Sequence, residues 1–133
     1  MAYLPDTNVW ISLLKNPNSK LSARVISQPV STIFLCSVVK AELWHGAHKY
    51  GNYERRLRTL ETLFAPFGSL SFDDAAAREY ADIRHNLEIQ GRVIGPNDLK
   101  IAAIARTHSL TLVSADPEFA RVINLQVENW MGS

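Results

Sequence analysis

Four carboxylates in this chain stand where an α/β sheet would bring them together. Asp6 closes the first apolar stretch, Met1-Ala-Tyr-Leu-Pro, and Asp116 follows the last strong one, Leu110-Thr-Leu-Val-Ser-Ala. Glu42 and Asp98 fall in the opening turns of two segments with helical character. An acid just past a strand or at a helix start lies at the mouth of such a sheet, the edge at which these folds bind ligands. Four negative charges gathered in a poorly solvated cleft repel one another. A hard divalent cation relieves that repulsion; Mg²⁺ leads for an all-oxygen donor set, and Mn²⁺ accepts the same ligands. The chemistry such a site supports is metal-dependent hydrolysis of a phosphodiester.

Each acid also has a purely structural explanation. Asp6 could cap the helix that follows, although Thr7 or Asn8 would serve equally well. Glu42 could be a surface charge, but Val38, Val39, Ala41 and Leu43 around it are apolar, and a carboxylate in that setting needs a partner. Asp98 sits where the helix macrodipole favours an anion in any protein. Its helix is nearly all apolar after Lys100, which makes Asp98 the polar end of a buried element. Asp116 could cap the short segment opened by Pro117. Glu118, three residues before Arg121, reads as a surface pair with it. Asp73 and Asp74 open a long helix and are accounted for by capping and the dipole. Glu42 and His45 share a helix face while His48 points away; a di-iron bundle would need a second such motif, and the chain has none.

The elements that must position these groups alternate along the chain. Residues 1–6 read as a buried strand, followed by a helix carrying Val9, Trp10, Leu13 and Leu14 that ends at Asn16-Pro17-Asn18-Ser19. A second helix runs to about Gln28, and Thr32 to Cys36 is an apolar strand. Ser37 is placed to cap a helix reaching about Lys49, closed by Gly51-Asn52. Residues 53–65 show helical spacing of Leu57, Leu60, Leu63 and Phe64. Ser69 to Phe72 reads as a strand, Asp73 to Gln90 as a long helix, and Pro96 as the first turn of another. Thr111 to Ser114, Pro117 to Val122 and Leu125 to Val127 complete the pattern as strand, short helix and edge strand. Strands separated by helices describe a parallel sheet covered on both faces.

Composition bounds the rest. The 133 residues are read as one domain, 47% hydrophobic and 20% charged, which describes an ordinary globular chain. A net charge of +1 excludes a polybasic tail but leaves room for a local nucleic-acid patch. Arg55, Arg56 and Arg58 are the densest candidates, with Arg84, Arg92 and Lys100 more scattered, and a solvated helix face explains each equally well. One cysteine, Cys36, cannot form an intrachain disulfide, which fits a reducing cytosol. No apolar run approaches the ~20 residues of a membrane span, and the N-terminus lacks the pattern of a signal peptide. A cytoplasmic protein is expected.

Taken in order, the motifs resemble PIN-domain ribonucleases, and among them the VapC-type toxins of type II toxin–antitoxin pairs. The matching segments are Leu4-Pro-Asp-Thr-Asn-Val9, Ser37-Val-Val-Lys-Ala-Glu-Leu43 with Gly46-Ala47, and Ile94-Gly-Pro-Asn-Asp-Leu-Lys-Ile-Ala-Ala103. Leu112-Val-Ser-Ala-Asp116 with Phe119 follows, and the ending Val127-Glu-Asn-Trp130 also matches. Each is weak alone; the ordered set spans the chain. The family's three core acids fall on Asp6, Glu42 and Asp98, and its more variable fourth on Asp116. Thr7 and Ser114 fall on its hydroxyl positions, where they would hold carboxylates or a phosphate oxygen. Pro5 departs from the apolar residue common before the first acid.

The resemblance implies a three-layer α/β/α PIN-like fold with a mostly parallel central sheet, and Mg²⁺- or Mn²⁺-dependent endonucleolytic cleavage of RNA. It also implies a homodimer and a small antitoxin that covers the active site. Relatives with the Val-Glu-Asn-Trp ending act on the initiator tRNA, an expectation that rests on analogy alone. A receiver domain would need paired acids after its first strand and a late lysine, and a haloacid-dehalogenase-type phosphatase would need Asp-x-Asp; Asp6-Thr7-Asn8 supplies neither. A catalytically inactive PIN-fold binding module is the remaining alternative, and the presence of all four acids weighs against it.

Overall fold

In the computed structural model, which describes residues 1–131, five short strands lie parallel and six helices flank them. The strands are β1 (Tyr3–Pro5), β2 (Phe34–Cys36), β3 (Gly68–Leu70), β4 (Thr111–Val113) and β5 (Val127–Glu128). The helices are α1 (Thr7–Lys15), α2 (Lys20–Ile26), α3 (Ser37–Lys49), α4 (Tyr53–Phe64), α5 (Asp74–Ile89) and α6 (Pro96–Thr107). Single 3₁₀ turns cover Val30–Thr32 and Pro117–Arg121. The ladders β1–β4, β4–β5 and β2–β3 are all parallel, and a Tyr3–Ile33 bridge joins the two groups. Across the sheet the order is therefore β3-β2-β1-β4-β5, the central sheet of an α/β/α fold.

This order places a topological switch point between β1 and β4. From β1 the chain crosses to one side through α1 and α2, and it reaches β4 on the other side only after α5 and α6. Parallel neighbours require such crossovers, and the crevice opens at the carboxyl ends of the strands where they diverge. Asp6 directly follows β1 and Asp116 lies three residues past β4, on opposite sides of that crevice.

The core explains why the elements hold. Leu4, Leu35, Leu112 and Val113 are fully buried sheet residues, as expected for strands covered on both faces. Ile101 to Ala105 are all fully buried, so α6 is the central helix that its composition suggests. Pro5 is accommodated at the last residue of its strand. The Asp6 N–H bonds to the Val113 carbonyl at 2.9 Å, so by alternation the Pro5 backbone faces β2, where pairing is confined to the Tyr3 bridge. The Pro5 carbonyl is taken by the Trp10 indole N–H at 3.1 Å.

Several boundaries differ from the sequence expectation. Cys36, in extended conformation, precedes the first helical residue of α3; Ser37 is inside the helix, and its hydroxyl accepts the Phe72 N–H at 3.3 Å instead of capping. The third strand is Gly68–Leu70, not 69–72, because Gly68 pairs with Phe34 and a Cβ there would come within 3.1 Å of the Phe34 ring. The last strand is Val127–Glu128, set by its register on Leu112 and Val113, which leaves Leu125 outside it. The second helix stops at Ile26, and Val30–Thr32 forms a 3₁₀ turn that shortens the strand after it. Among the described residues no helix is long and apolar enough to cross a membrane.

Candidate active site

Asp6, Glu42, Asp98 and Asp116 line one open cleft of about 1090 Å³. They come from four different elements: the end of β1, the second turn of α3, the first turn of α6 and the turn after β4. Parallel α/β topology explains this convergence, because helices antiparallel to the strands start where the strands end. Pro96 opens α6 with its fixed φ and missing N–H, and it sets Asp98 at the third helical position.

Asp6 is both cap and cleft residue. It is 6% exposed, and its Oδ1 accepts the Val9 N–H at 3.0 Å. The capping explanation and the cleft position are therefore compatible: Oδ1 closes α1 while the residue lines the cleft. Burial raises its carboxyl above the ordinary range, Ser114 and the Val9 N–H pull it down, and Asp116 and Glu42 push it up. Asp116 likewise caps its 3₁₀ turn, accepting the Glu118 N–H at 2.9 Å.

Two hydroxyls hold these acids in place. Thr7 Oγ1 donates to Glu42 Oε1 at 2.6 Å, tying α1 to α3 across 35 positions of sequence. This supplies the partner that a carboxylate on a largely apolar helix requires. Ser114, only 2% exposed, lies behind the cleft; its Oγ accepts the Asp116 N–H at 3.0 Å, and its hydroxyl lowers the Asp6 carboxyl.

Asp98 is the most perturbed group, pushed up from 3.8 to about 6. Burial is the largest cause, followed by the charges of Asp116, Glu42, Asp6 and Glu118 in that order. By sequence Glu118 reads only as a surface partner of Arg121. That pair does form, at 3.3 Å. Its carboxylate also gathers with those of Asp98 and Asp116, with one oxygen of each within 4.8 Å of the others. The turn Asp116-Pro117-Glu118 could have signalled this, because a 3₁₀ turn after β4 carries both acids to one edge.

The remaining candidates fall outside the acid group. His45 lines the cleft from an exposed position, while His48 stacks on Tyr53 with ring centroids 4.0 Å apart. Asp73 caps α5 through the Ala76 N–H at 3.0 Å. Cys36 is buried and burial pushes its thiol up, the opposite of an activated nucleophile. Arg55 and Arg56 line the cleft, whereas Arg58 does not.

The donor set is made wholly of carboxylate oxygens, the ligand type of hard divalent cations and not of thiophilic ones. Burial first and repulsion by the neighbouring acids second push Asp98 up to about 6, and the repulsive share is what a bound cation would relieve. These residues fit such an ion.

A PIN-domain family model matches residues 3–125. The chain belongs to the PIN-domain family. Within it, this PIN domain is a VapC-type ribonuclease. It is 35% identical over 132 residues to ribonuclease VapC2 of Haemophilus influenzae, covering 98% of this chain and 99% of that one. It is 34% identical to the tRNA(fMet)-specific endonuclease VapC of Shigella flexneri, covering 98% of each. The DNA-bound VapBC structure from Salmonella typhimurium superposes with a TM-score of 0.91 at 30% identity and 98% coverage of both chains. VapBC-5 of Mycobacterium tuberculosis, a member of the VapBC family of toxin–antitoxin systems, superposes with a TM-score of 0.70 at 30% identity and 96% coverage of both. These likenesses make the PIN domain a nuclease toxin by class, with solved relatives that are toxin–antitoxin complexes.

Proposed function

We propose that this PIN domain is a Mg²⁺-dependent endoribonuclease, with Mn²⁺ able to substitute, and that its substrate is a tRNA, the initiator tRNA foremost. The observation that carries the reading is the convergence of Asp6, Glu42, Asp98 and Asp116 on one cleft with Asp98 pushed up to about 6. Asp6, Glu42 and Asp98 would hold the ion directly or through its waters, and Asp116 would complete a weaker position or orient a water. When bound, the cation supplies charge neutralisation at the phosphate and a lower pKa for a bound water. Water oxygen adds to phosphorus as the bond to the 3′ oxygen breaks, leaving a 5′-phosphate and a 3′-hydroxyl.

The chain's own residues prepare that reaction. Thr7 fixes the Glu42 carboxylate through its 2.6 Å hydrogen bond, so the acid does not have to be ordered when substrate arrives. Ser114 holds the Asp116 backbone through its N–H and lowers the Asp6 carboxyl. The deep placement of Asp6 and the partial burial of Asp98 limit competing water, which strengthens their interaction with a cation.

The partner we infer is an antitoxin that covers this cleft. Ile11, Leu43, Ala47 and Leu60 give the cleft an apolar wall beside the acids. A segment with apolar side chains and one basic side chain would match both. We further propose that the 133 residues act as one cytoplasmic domain and pair as a homodimer.

The test is cleavage of total cellular RNA by the purified chain beside Asp6→Ala and Asp98→Asn, with Mg²⁺, Mn²⁺ or EDTA. Discrete cuts that require metal and both aspartates are expected, and mapping their ends identifies the RNA. Absence of cleavage by the folded, antitoxin-free chain would overturn the enzymatic reading in favour of a binding module.

A further inference from the structure

The cleft has a second end that the acids do not explain. It runs from the acid group to the corner between α3 and α4, where Lys49, Tyr50, Arg55 and Arg56 line it, with Lys15 of α1 on the facing side. Among the described residues the ion pairs are made elsewhere, by Arg24, Arg84, Arg106 and Arg121. Lys15, Lys49, Arg55 and Arg56 therefore have no carboxylate of a described residue within 4.0 Å of their charged nitrogens. A cleft with anionic side chains at one end and unneutralised cations at the other suits an extended polyanion that is processed at the first end and held at the second.

The corner itself is built with care. Gly51 and Asn52 are both left-handed, with φ of 72° and 52°, a conformation that glycine and asparagine tolerate best. That sharp reversal sets Arg56 back against the end of α3. Its Nε donates to the Gly51 carbonyl at 2.9 Å, and its guanidinium carbon lies 5.4 Å from the Tyr50 ring centroid. Tyr50 is 70% exposed. A lone exposed aromatic is common and by itself means nothing. This one differs because an arginine is fixed beside its ring, most of the residue is open to solvent, and it shares a cleft with the acid group.

We propose that the Tyr50–Arg56 pair, with Lys49 and Arg55, is a nucleotide-binding subsite that stacks one unpaired base of the RNA and grips its flanking phosphates. The proposal rests on the nuclease reading of the acid end and adds the residues that select the RNA's form. An open tyrosine ring offers stacking to any base that is free of its own helix, and it offers nothing to a base inside a duplex. The guanidinium Nη groups of Arg56, with Nε already committed to Gly51, are available to phosphate oxygens, as are Arg55 and Lys49. Unpaired RNA should therefore bind here in preference to duplex.

The experiment uses the full chain carrying Asp98→Asn, so that the RNA stays intact, and measures anisotropy of three labelled probes. These are an unstructured 12-nucleotide RNA, a stem-loop displaying that sequence in its loop, and its perfect duplex. Tyr50→Ala should weaken binding of the first two by about 5- to 100-fold, and Tyr50→Phe should retain it. Arg56→Ala should weaken it about 3- to 10-fold and flatten its salt dependence, while Arg58→Ala, on the same helix outside the cleft, should change it less than about twofold. With the acids intact, Tyr50→Ala should raise KM and leave kcat nearly unchanged. The proposal is overturned if Tyr50→Ala binds like its parent, if Arg58→Ala costs as much as Arg56→Ala, if duplex binds as well as unpaired RNA, or if no probe binds. Lack of cleavage by the chain with intact acids, together with tyrosine-dependent binding, would reject the nuclease reading and leave the subsite standing.

Discussion

Replacing Asp98 with Asn should stabilise the metal-free protein while abolishing its activity. The Asp98 carboxyl is pushed up from 3.8 to about 6, by burial first and by the neighbouring acids second. Between these values the folded state holds a proton that the unfolded chain has released, so stability falls as pH rises through this window. The penalty is complete above about pH 6 and fades toward pH 4. Its full size, at about 1.4 kcal/mol per pH unit, would be about 3 kcal/mol. Asp98 is only partly buried, and water screening brings a realistic figure to about 1–2 kcal/mol. For a chain of this length that corresponds to a rise in Tm of about 3–7 °C.

The assay is thermal unfolding of both proteins in EDTA from pH 4 to 8, followed by the same series in Mg²⁺. The variant should lead by several degrees at pH 7.5, and its lead should shrink steadily as the pH falls to 4. Mg²⁺ should raise the wild-type Tm and leave the variant nearly unmoved, because the ion binds the carboxylate that carries the strain. A lead that is absent at pH 7.5, or that does not depend on pH, would refute the account of Asp98 as a repelled acid. It would leave the helix macrodipole as the sole explanation of its position.

Two further outcomes follow from the same geometry. Ser114→Ala leaves the partly buried Asp116 N–H without its acceptor and removes a hydroxyl that holds the Asp6 carboxyl down, so it should cost about 1–2 kcal/mol and move the acidic limb of the pH–rate profile upward; denaturant titration and initial rates check both. Trp130→Ala should cost about 3–5 kcal/mol in denaturant unfolding, because its ring is 5% exposed, packs edge-on to Tyr3 at 4.8 Å, lies under Arg24 at 4.7 Å and donates its N–H to Glu128.

Local sequence determined what depends on near neighbours. The apolar run of Ile101 to Ala105 could only be a buried helix, Pro96 could only open it, and Gly51-Asn52 could only break the chain between two helices. The acids were legible for a similar reason: parallel α/β order sends strand ends and helix starts to one edge, so their chain positions implied their proximity. Tertiary structure decided whatever depends on register. Whether the third strand began at Gly68 turned on the approach of the Phe34 ring, and the last strand was set by its alignment on Val113. Ser37 became a partner of Phe72 and Thr7 a partner of Glu42, bonds that close only when distant segments pack. Glu118 joined Asp98 and Asp116 for the same reason, since 20 positions of sequence separate it from Asp98 and no local pattern records that distance. Periodicity and capping are properties of a few consecutive residues; hydroxyl partners, the gathering of a third acid and the pairing of Tyr50 with Arg56 belong to the folded surface alone.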